Sequence, residues 1–100
     1  MDNVSIKLLD DKSVVTFRGV LNINNIVDIK QELEELITFE QDLDVQIELP
    51  ETIDITFIQM LVAMRNSCLG KKAKFSIKSQ LSDDVFGLMK NAGLDEFLNN

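Results

Sequence analysis

Histidine is absent from this chain of 100 residues, and cysteine and proline occur once each. Without histidine, the chain lacks the commonest general base and the commonest metal ligand, so most hydrolytic and zinc chemistry loses its usual groups. The four glycines are scattered along the sequence and form no phosphate-binding loop. These absences predict a protein that is not an enzyme and that has no cofactor and no metal site.

The sequence also lacks the patterns expected for a disulfide, a signal peptide and a membrane span. The single cysteine, Cys68, cannot form an internal disulfide, which fits a reducing compartment. No apolar run reaches the roughly 18 residues of a membrane span, and the N-terminus MDNVSIKLLDDK lacks the basic-then-apolar order of a signal peptide. We therefore expect a cytoplasmic protein without a membrane span.

Basic residues are outnumbered by acidic ones, and the net charge is −7 at pH 7. A chain of this sign is repelled overall by nucleic acid and by anionic membranes, so a nucleic-acid partner is not expected. The length fits a single domain, residues 1–100, and the 45% of hydrophobic residues is typical of a globular protein.

Four short segments alternate apolar and polar residues, which is the pattern of a strand with one solvated face. Their apolar positions are Val4, Ile6 and Leu8; Val15 and Phe17; Val45, Ile47 and Leu49; and Phe75 and Ile77. Because each strand has one apolar face, we expect a sheet covered on one side, unlike a doubly wound sheet. The stretch LDDKS, which begins at Leu9, predicts a turn that makes the first two strands an antiparallel hairpin.

Segments whose apolar residues have helical spacing lie between the later strands. A first helix is expected from the N-cap Asn24, with apolar positions at Ile26, Ile29, Leu33, Leu36 and Ile37. A second helix is expected from about Thr56 to Leu69, with Gly70 as a left-handed terminator.

A third helix is expected between the N-cap Ser82 and Gly93. Its inward positions are Val85, Leu88, Met89 and Ala92, and a last short turn contains Leu94 and Phe97. Right-handed crossovers with helices on one face place strands two, three and four side by side and leave the first strand antiparallel at an edge. The predicted fold class is α/β: a two-layer domain with a mixed four-stranded sheet and helices on one face.

Three stretches, in this order and spacing, resemble the STAS domain, the fold of anti-sigma-factor antagonists and related regulatory modules. VTFRGVLNINNIVDIKQELEEL is similar to the family's strand, glycine turn and first helix, and IDITFIQMLVAMRNSCLGKKAKFSI to its central strand end, regulatory loop, second helix and next strand. NAGLDEFL is similar to its C-terminal segment. The string Asp-Ile-Thr-Phe-Ile-Gln looks more like divergent members, which resemble transporter-associated and chemotaxis-associated STAS proteins.

The resemblance implies a phosphoacceptor at Thr56. In the family, the loop after the central strand typically reads Asp-Ser-Ser-Gly-Leu, and a partner kinase phosphorylates the second serine. With Asp54 on that aspartate, Ile55 takes the place of the first serine, Thr56 that of the phosphoacceptor and Phe57 that of the glycine. In the first loop, Asn22 stands where the family often carries aspartate.

The same residues allow a purely structural role. Thr56-Phe57-Ile58-Gln59 matches the capping box, in which a threonine hydroxyl and a glutamine side chain satisfy backbone N–H groups at a helix start. Capping and phosphorylation are compatible, because a helix N-terminus favours an anion. A phosphate at this position, next to Asp54, would repel an acidic partner surface.

The helix after Thr56 has almost no polar face in its first two turns. Four side chains share a stripe that is expected to enter the core: Phe57, Met60, Leu61 and Met64. Ile58 and Val62 are expected to point elsewhere. The predicted partner-binding residues are Asp54, Ile55, Ile58, Val62 and Asn22. The alternative is that neighbouring helices of the domain cover these side chains.

Two functional hypotheses fit these patterns. One is a non-catalytic regulatory domain of the anti-sigma-factor-antagonist type, which binds an anti-sigma factor or a serine/threonine-kinase-like protein and is switched by phosphorylation of Thr56. The other is a structural accessory subunit of a transporter or chemotaxis assembly, in which Thr56 only caps a helix. The sequence leaves the oligomeric state open.

Overall fold

A computed structural model describes residues 3–91 and residue 93. Its strands are β1 (Val4–Leu8), β2 (Lys12–Phe17), β3 (Val20–Leu21), β4 (Asp42–Glu48), β5 (Thr52–Ile53) and β6 (Phe75–Gln80). Its helices are α1 (Ile26–Leu36), α2 (Ile55–Gly70) and α3 (Asp83–Asn91). The predictions for Ala92, Leu94 and Phe97 lie outside the described residues.

The main sheet has the strand order β1-β2-β4-β6. β1 pairs antiparallel with β2, with Val4 opposite Phe17, whereas the two inner pairings are parallel and place Val15, Val45 and Ile77 side by side. In β2 and β4, buried and half-buried residues alternate, because successive side chains of a strand point to opposite faces of the sheet. The predicted mixed sheet with an antiparallel edge strand is confirmed.

Helix α2 buries a wider arc than its sequence pattern indicated. The predicted stripe is buried, and so are Ile58 and Cys68. Ile58 is only 3% exposed, so the prediction that it points away from the core is wrong. At 100° per residue, Ile58 and Met60 lie on opposite flanks of the stripe through Phe57 and Leu61, and the fold covers both flanks.

The helix ends differ slightly from the predictions. α1 begins after Asn25 and not after Asn24, and the Asn25 side chain donates to the carbonyl oxygen of Val20, 2.8 Å away, instead of capping the helix. Gly70 is the last helical residue of α2 rather than a left-handed terminator; Lys72, two residues later, has φ of +62°.

Helix α3 begins as predicted. The hydroxyl of Ser82 accepts a hydrogen bond from the backbone N–H of Val85, 3.3 Å away. Val85 and Met89 are buried, but Leu88, which was predicted to face inward, is exposed. At 100° per residue Leu88 lies about 100° from Met89, on the flank of the buried stripe that the fold leaves uncovered. Three other predicted core positions, Leu8, Leu36 and Leu49, are exposed where the chain leaves a strand or helix.

A second, two-stranded sheet joins β3 and β5, with Val20 opposite Thr52. Its strands are too short to produce a periodic pattern, and sequence reasoning missed them. Gly19 precedes β3 with φ of +81°, and the Asn3 amide beside it donates to the carbonyl oxygens of Arg18 and Val20, at 3.2 and 3.1 Å. This small sheet brings the loop after β3 next to the start of α2.

Candidate functional site

Asp54 forms the N-cap of α2. Its extended backbone places carboxylate oxygen Oδ1 at the helix start, where it accepts hydrogen bonds from the backbone N–H groups of Thr56 and Phe57, at 3.0 and 3.2 Å. Thr56 is therefore the second helical residue, and the prediction that Thr56 and Gln59 form a capping box is wrong. Aspartate is among the strongest N-cap residue types, so its place directly before Ile55 was the signal that sequence reasoning overlooked.

The hydroxyl of Thr56 donates a hydrogen bond to the same oxygen, Oδ1 of Asp54. The threonine side chain is half-buried and lines a groove between α1 and α2. Because the hydroxyl acts as a donor, its oxygen keeps lone pairs for another group. Asp54 therefore holds the hydroxyl in one orientation at the helix start.

The other carboxylate oxygen of Asp54, Oδ2, accepts a hydrogen bond from the backbone N–H of Ile23, 2.9 Å away. The backbone N–H of Asp54 donates to the carbonyl oxygen of Leu21, 3.1 Å away. The loop itself is ordered by Asn22, whose side-chain oxygen accepts from the N–H of Asn24 at 3.0 Å. Asp54 thus ties the loop between β3 and α1 to the start of α2.

The ionisation of Asp54 reflects these contacts. Burial has the largest single effect and raises the pKa, but hydrogen bonds from the Thr56 hydroxyl and from the N–H groups of Ile23, Phe57 and Thr56 lower it. Together these hydrogen bonds hold the pKa of Asp54 below its ordinary value. The carboxylate is therefore ionised at neutral pH, at the positive end of the α2 dipole.

Three exposed apolar side chains flank the Asp54–Thr56 pair. Ile23 lies in the loop that Asp54 ties, Val27 lies one turn later on α1, and Ile55 is the first residue of α2; they are 64%, 70% and 52% exposed. Val27 and Thr56 line the same groove. We call Ile23, Val27 and Ile55 the apolar rim.

The structure changes the set of residues that can bind a partner. Asp54 and Ile55 directly precede Thr56, and Asn22 lies in the loop that Asp54 ties to α2. Ile58 is removed from the surface, and Val62 is half-buried further along α2. Ile23 and Val27 were missed. The available signal was that both are apolar but lie off the buried stripe of α1, which contains Ile29 and Leu33.

A groove of about 420 Å³ separates α1 from α2. Val27 and Lys30 line it from α1, and Thr56, Met60 and Ala63 line it from α2. The groove leaves space beside the Thr56 side chain, and its mostly apolar walls also carry one basic and one acidic side chain, Lys30 and Glu34.

Metal-binding clusters and membrane-spanning helices are absent from residues 3–91 and 93. Within these residues, no group of three or more histidine, cysteine, aspartate or glutamate side chains could hold a metal ion, and no helix is long and apolar enough to cross a membrane. Cys68 is fully buried, and burial, followed by the charge of Asp42, raises the pKa of its thiol. A protonated, buried thiol is unreactive, so Cys68 packs as a small apolar residue of the core.

Comparison with solved structures identifies a similar protein. A Thermotoga maritima protein, provisionally described as an anti-sigma factor antagonist, matches 96% of this chain and 83% of its own chain, with a TM-score of 0.67 and 18% sequence identity. The chain has a STAS-type fold. The fold implied by the three sequence stretches is therefore confirmed. No protein-family model and no curated protein sequence matches this STAS-type chain.

Proposed function

We propose that this STAS-type chain acts as one domain, residues 1–100, in the cytoplasm, as a non-catalytic regulatory module of the anti-sigma-factor-antagonist type. It binds a partner protein through the surface around Asp54 and Thr56. The observation that carries this proposal is the apolar rim, three exposed aliphatic side chains grouped around an oriented hydroxyl. Grouped apolar side chains with a few polar groups among them favour a protein–protein contact.

The proposed partner is an anti-sigma factor or a serine/threonine-kinase-like protein. The description of the similar Thermotoga maritima protein as an anti-sigma factor antagonist supports this class of partner. The net charge of −7 disfavours nucleic acid as the direct partner. Asn22, Asp54 and Ile55 supply the polar and apolar contacts next to Thr56, and Val62 extends the surface along α2.

Thr56 is the proposed phosphoacceptor. An ATP-dependent protein kinase transfers the γ-phosphoryl group to Oγ1 of Thr56: the new O–P bond forms, and the bond from the γ-phosphorus to the bridging oxygen of ATP breaks. The hydroxyl proton passes to a base of the kinase, and ADP leaves. The phosphate adds about −1.5 to −2 charges among the side chains of the apolar rim, which opposes binding of an apolar or acidic partner surface.

The binding surface is tested by photo-crosslinking in the native host. A photoreactive amino acid is placed singly at Val27, Ile55 or Leu88; the last is an exposed apolar position on α3, outside the apolar rim. We expect the same protein to be captured from positions 27 and 55 but not from position 88. With that protein purified, Val27→Ser and Ile55→Ser are each expected to weaken binding at least about tenfold, while Leu88→Ser leaves it unchanged.

Two outcomes would contradict the proposed surface: equal capture from all three positions, or equal affinity for all three serine variants. The switch is tested separately, by measuring the affinity of the same partner for Thr56→Ala, Thr56→Ser and Thr56→Glu. We expect the glutamate variant to bind more weakly than the other two. Equal affinity of wild type and all three variants would remove the switch and leave the binding surface in place.

A permanent accessory subunit of a transporter or chemotaxis assembly is the second candidate function. It is favoured by the 70% exposure of Val27, since a large exposed aliphatic group is best accommodated in a contact that stays closed. In that case the purified complex resists high salt, and mass spectrometry finds no phosphate on Thr56. A salt-sensitive complex with phosphorylated Thr56 supports the regulatory function instead.

A further inference from the structure

We propose that Asp54 is a relay through which phosphorylation of Thr56 releases the loop between β3 and α1 and displaces Ile23 from the apolar rim. This inference rests on the phosphorylation proposed above and adds the way in which the modification reaches the binding surface. Asp54 is a positioning residue in this scheme, because it acts through Ile23.

The two carboxylate oxygens of Asp54 hold two different parts of the fold. Oδ1 accepts hydrogen bonds from α2: the Thr56 hydroxyl and the N–H groups of Thr56 and Phe57. Oδ2 accepts from the N–H of Ile23, which lies 31 residues away in the sequence. One carboxylate group therefore joins α2 to the loop, and a displacement that breaks the contacts at one oxygen also affects the contact at the other.

Phosphorylation changes the contact at Oδ1 from attraction to repulsion. The ester lacks the hydroxyl proton that Thr56 donates to Asp54, and it places negatively charged oxygens next to an ionised carboxylate. The N–H groups of Thr56 and Phe57 form the start of α2, and a phosphate is a favoured acceptor at such a helix start. The phosphate therefore takes the place of the Asp54 carboxylate at these two donors.

When the Asp54 carboxylate is displaced from α2, its contact with Ile23 is lost as well. The Ile23 side chain is 64% exposed, so its own packing holds the loop weakly. Within the loop, the N–H of Asn24 still donates to the side chain of Asn22, and the N–H of Asn25 to the carbonyl oxygen of Asn22, which fixes the local turn. The N–H of Asp54 still donates to the carbonyl oxygen of Leu21, so the end of β3 stays attached while the segment at Ile23 loses its tie to α2. The modification thus removes one of the three apolar groups from the rim, in addition to adding charge.

The experiment compares four forms of the full chain by NMR: wild type, protein with phosphothreonine built in at position 56, Asp54→Asn and Thr56→Val. The amide oxygen of the asparagine still accepts from the N–H groups of α2, but its NH2 group cannot accept from Ile23, so the loop tie is lost without a phosphate. The valine variant is the matched control, because it removes the hydroxyl and leaves the contact between Asp54 and Ile23. Hydrogen exchange of the Ile23 N–H is measured, and exchange of the Val45 N–H in the central strand β4 corrects each value for global stability.

We expect the corrected exchange of the Ile23 N–H to be at least about tenfold faster in the phosphorylated protein and in Asp54→Asn, and to stay within about twofold of wild type in Thr56→Val. The relay is overturned if phosphothreonine leaves the exchange within twofold of wild type, or if Thr56→Val accelerates it as much. Because no kinase or partner is used, this result is independent of the proposed function. Absence of phosphate on Thr56 in cells would remove the switch, whereas unchanged exchange at Ile23 would remove the relay alone.

Discussion

The rings of Phe17 and Phe57 contact each other edge to face, with 4.9 Å between their centroids and an angle of 85° between their planes. Both side chains are fully buried. Phe17 is the last residue of β2 and Phe57 lies in the first turn of α2, so this contact holds the start of the helix against the sheet. It thereby positions Asp54 and Thr56. Phe57, which the sequence resemblance places at the glycine of the STAS motif, thus anchors the candidate site.

The Phe17–Phe57 contact is expected to contribute beyond the area that it buries. In a double-mutant cycle with Phe17→Leu and Phe57→Leu, we expect a coupling energy of about 0.5–1.5 kcal/mol, because an edge-to-face pair gains from the opposite partial charges of ring edge and face. Urea unfolding measures it. Phe86→Leu, at an exposed position on α3, is the control and should change stability by less than about 0.5 kcal/mol. A coupling energy near zero would mean that the two rings stabilise the protein only through the apolar area that each of them buries.

Asp54, and not Thr56, is expected to dominate the stability of the start of α2. Asp54→Ala removes the acceptor of three backbone N–H groups, those of Ile23, Thr56 and Phe57, and should lower the free energy of unfolding by about 1–2 kcal/mol. Thr56→Val removes one side-chain hydrogen bond and should cost about 0.5–1.5 kcal/mol. Gln59→Ala should have little effect. If Thr56→Val and Gln59→Ala each lower the free energy of unfolding more than Asp54→Ala does, Thr56 and Gln59 cap the helix and Asp54 does not.

The stabilising effect of Asp54 is expected to disappear in acid. Its pKa is lower in the folded state than the ordinary value, which in unfolded chains is about 3.9, so the unfolded state binds more protons as the pH falls. The contribution is fully present above the unfolded pKa and is lost as the pH falls through the folded pKa. The difference in unfolding free energy between wild type and Asp54→Asn should therefore be constant near neutral pH and shrink as the pH falls below about 3.9.

Urea unfolding at several pH values measures that difference. Gln31→Ala, on the exposed side of α1, is the control because it removes no ionisable group, and its effect should be the same at each pH. A difference between wild type and Asp54→Asn that stays constant or widens in acid would disprove the assigned direction of the Asp54 pKa shift.

Alanine is expected to act in opposite directions at Gly70 and Gly19. Gly70 is the last helical residue of α2 and has nothing within 4 Å of an added Cβ, so Gly70→Ala should stabilise the protein by about 0.5–1 kcal/mol. Gly19 has φ of +81°, and an added Cβ would lie 3.0 Å from the side-chain nitrogen of Asn3, so Gly19→Ala should destabilise it by about 1–2 kcal/mol. Thermal unfolding measures the stability of each variant relative to wild type. Destabilisation by Gly70→Ala would support the left-handed terminator that the sequence suggested.

The boundaries of α2 illustrate why some local predictions were wrong. Thr56 and Asp54 are both good N-cap residues, and sequence patterns alone do not decide which one starts the helix. The extended backbone of Asp54 and its contact with Ile23 decide it in favour of Asp54. The prediction that Ile58 points away from the core was also wrong. The hydrophobicity of a residue shows that it can be buried, but it does not show how much of the helix the rest of the fold covers.

The sequence by itself determined the order of the helices and of the strands of the main sheet, and the buried face of each of those four strands, because side-chain periodicity depends on neighbouring residues. It also indicated the STAS-type fold through three ordered stretches. Only the tertiary structure decided that Asp54 holds both Thr56 and Ile23, and that Ile23, Val27 and Ile55 surround them. Ile23 and Asp54 are 31 positions apart, and they are brought together by the pairing of β3 with β5, whose two-residue strands leave no periodic signal in the sequence.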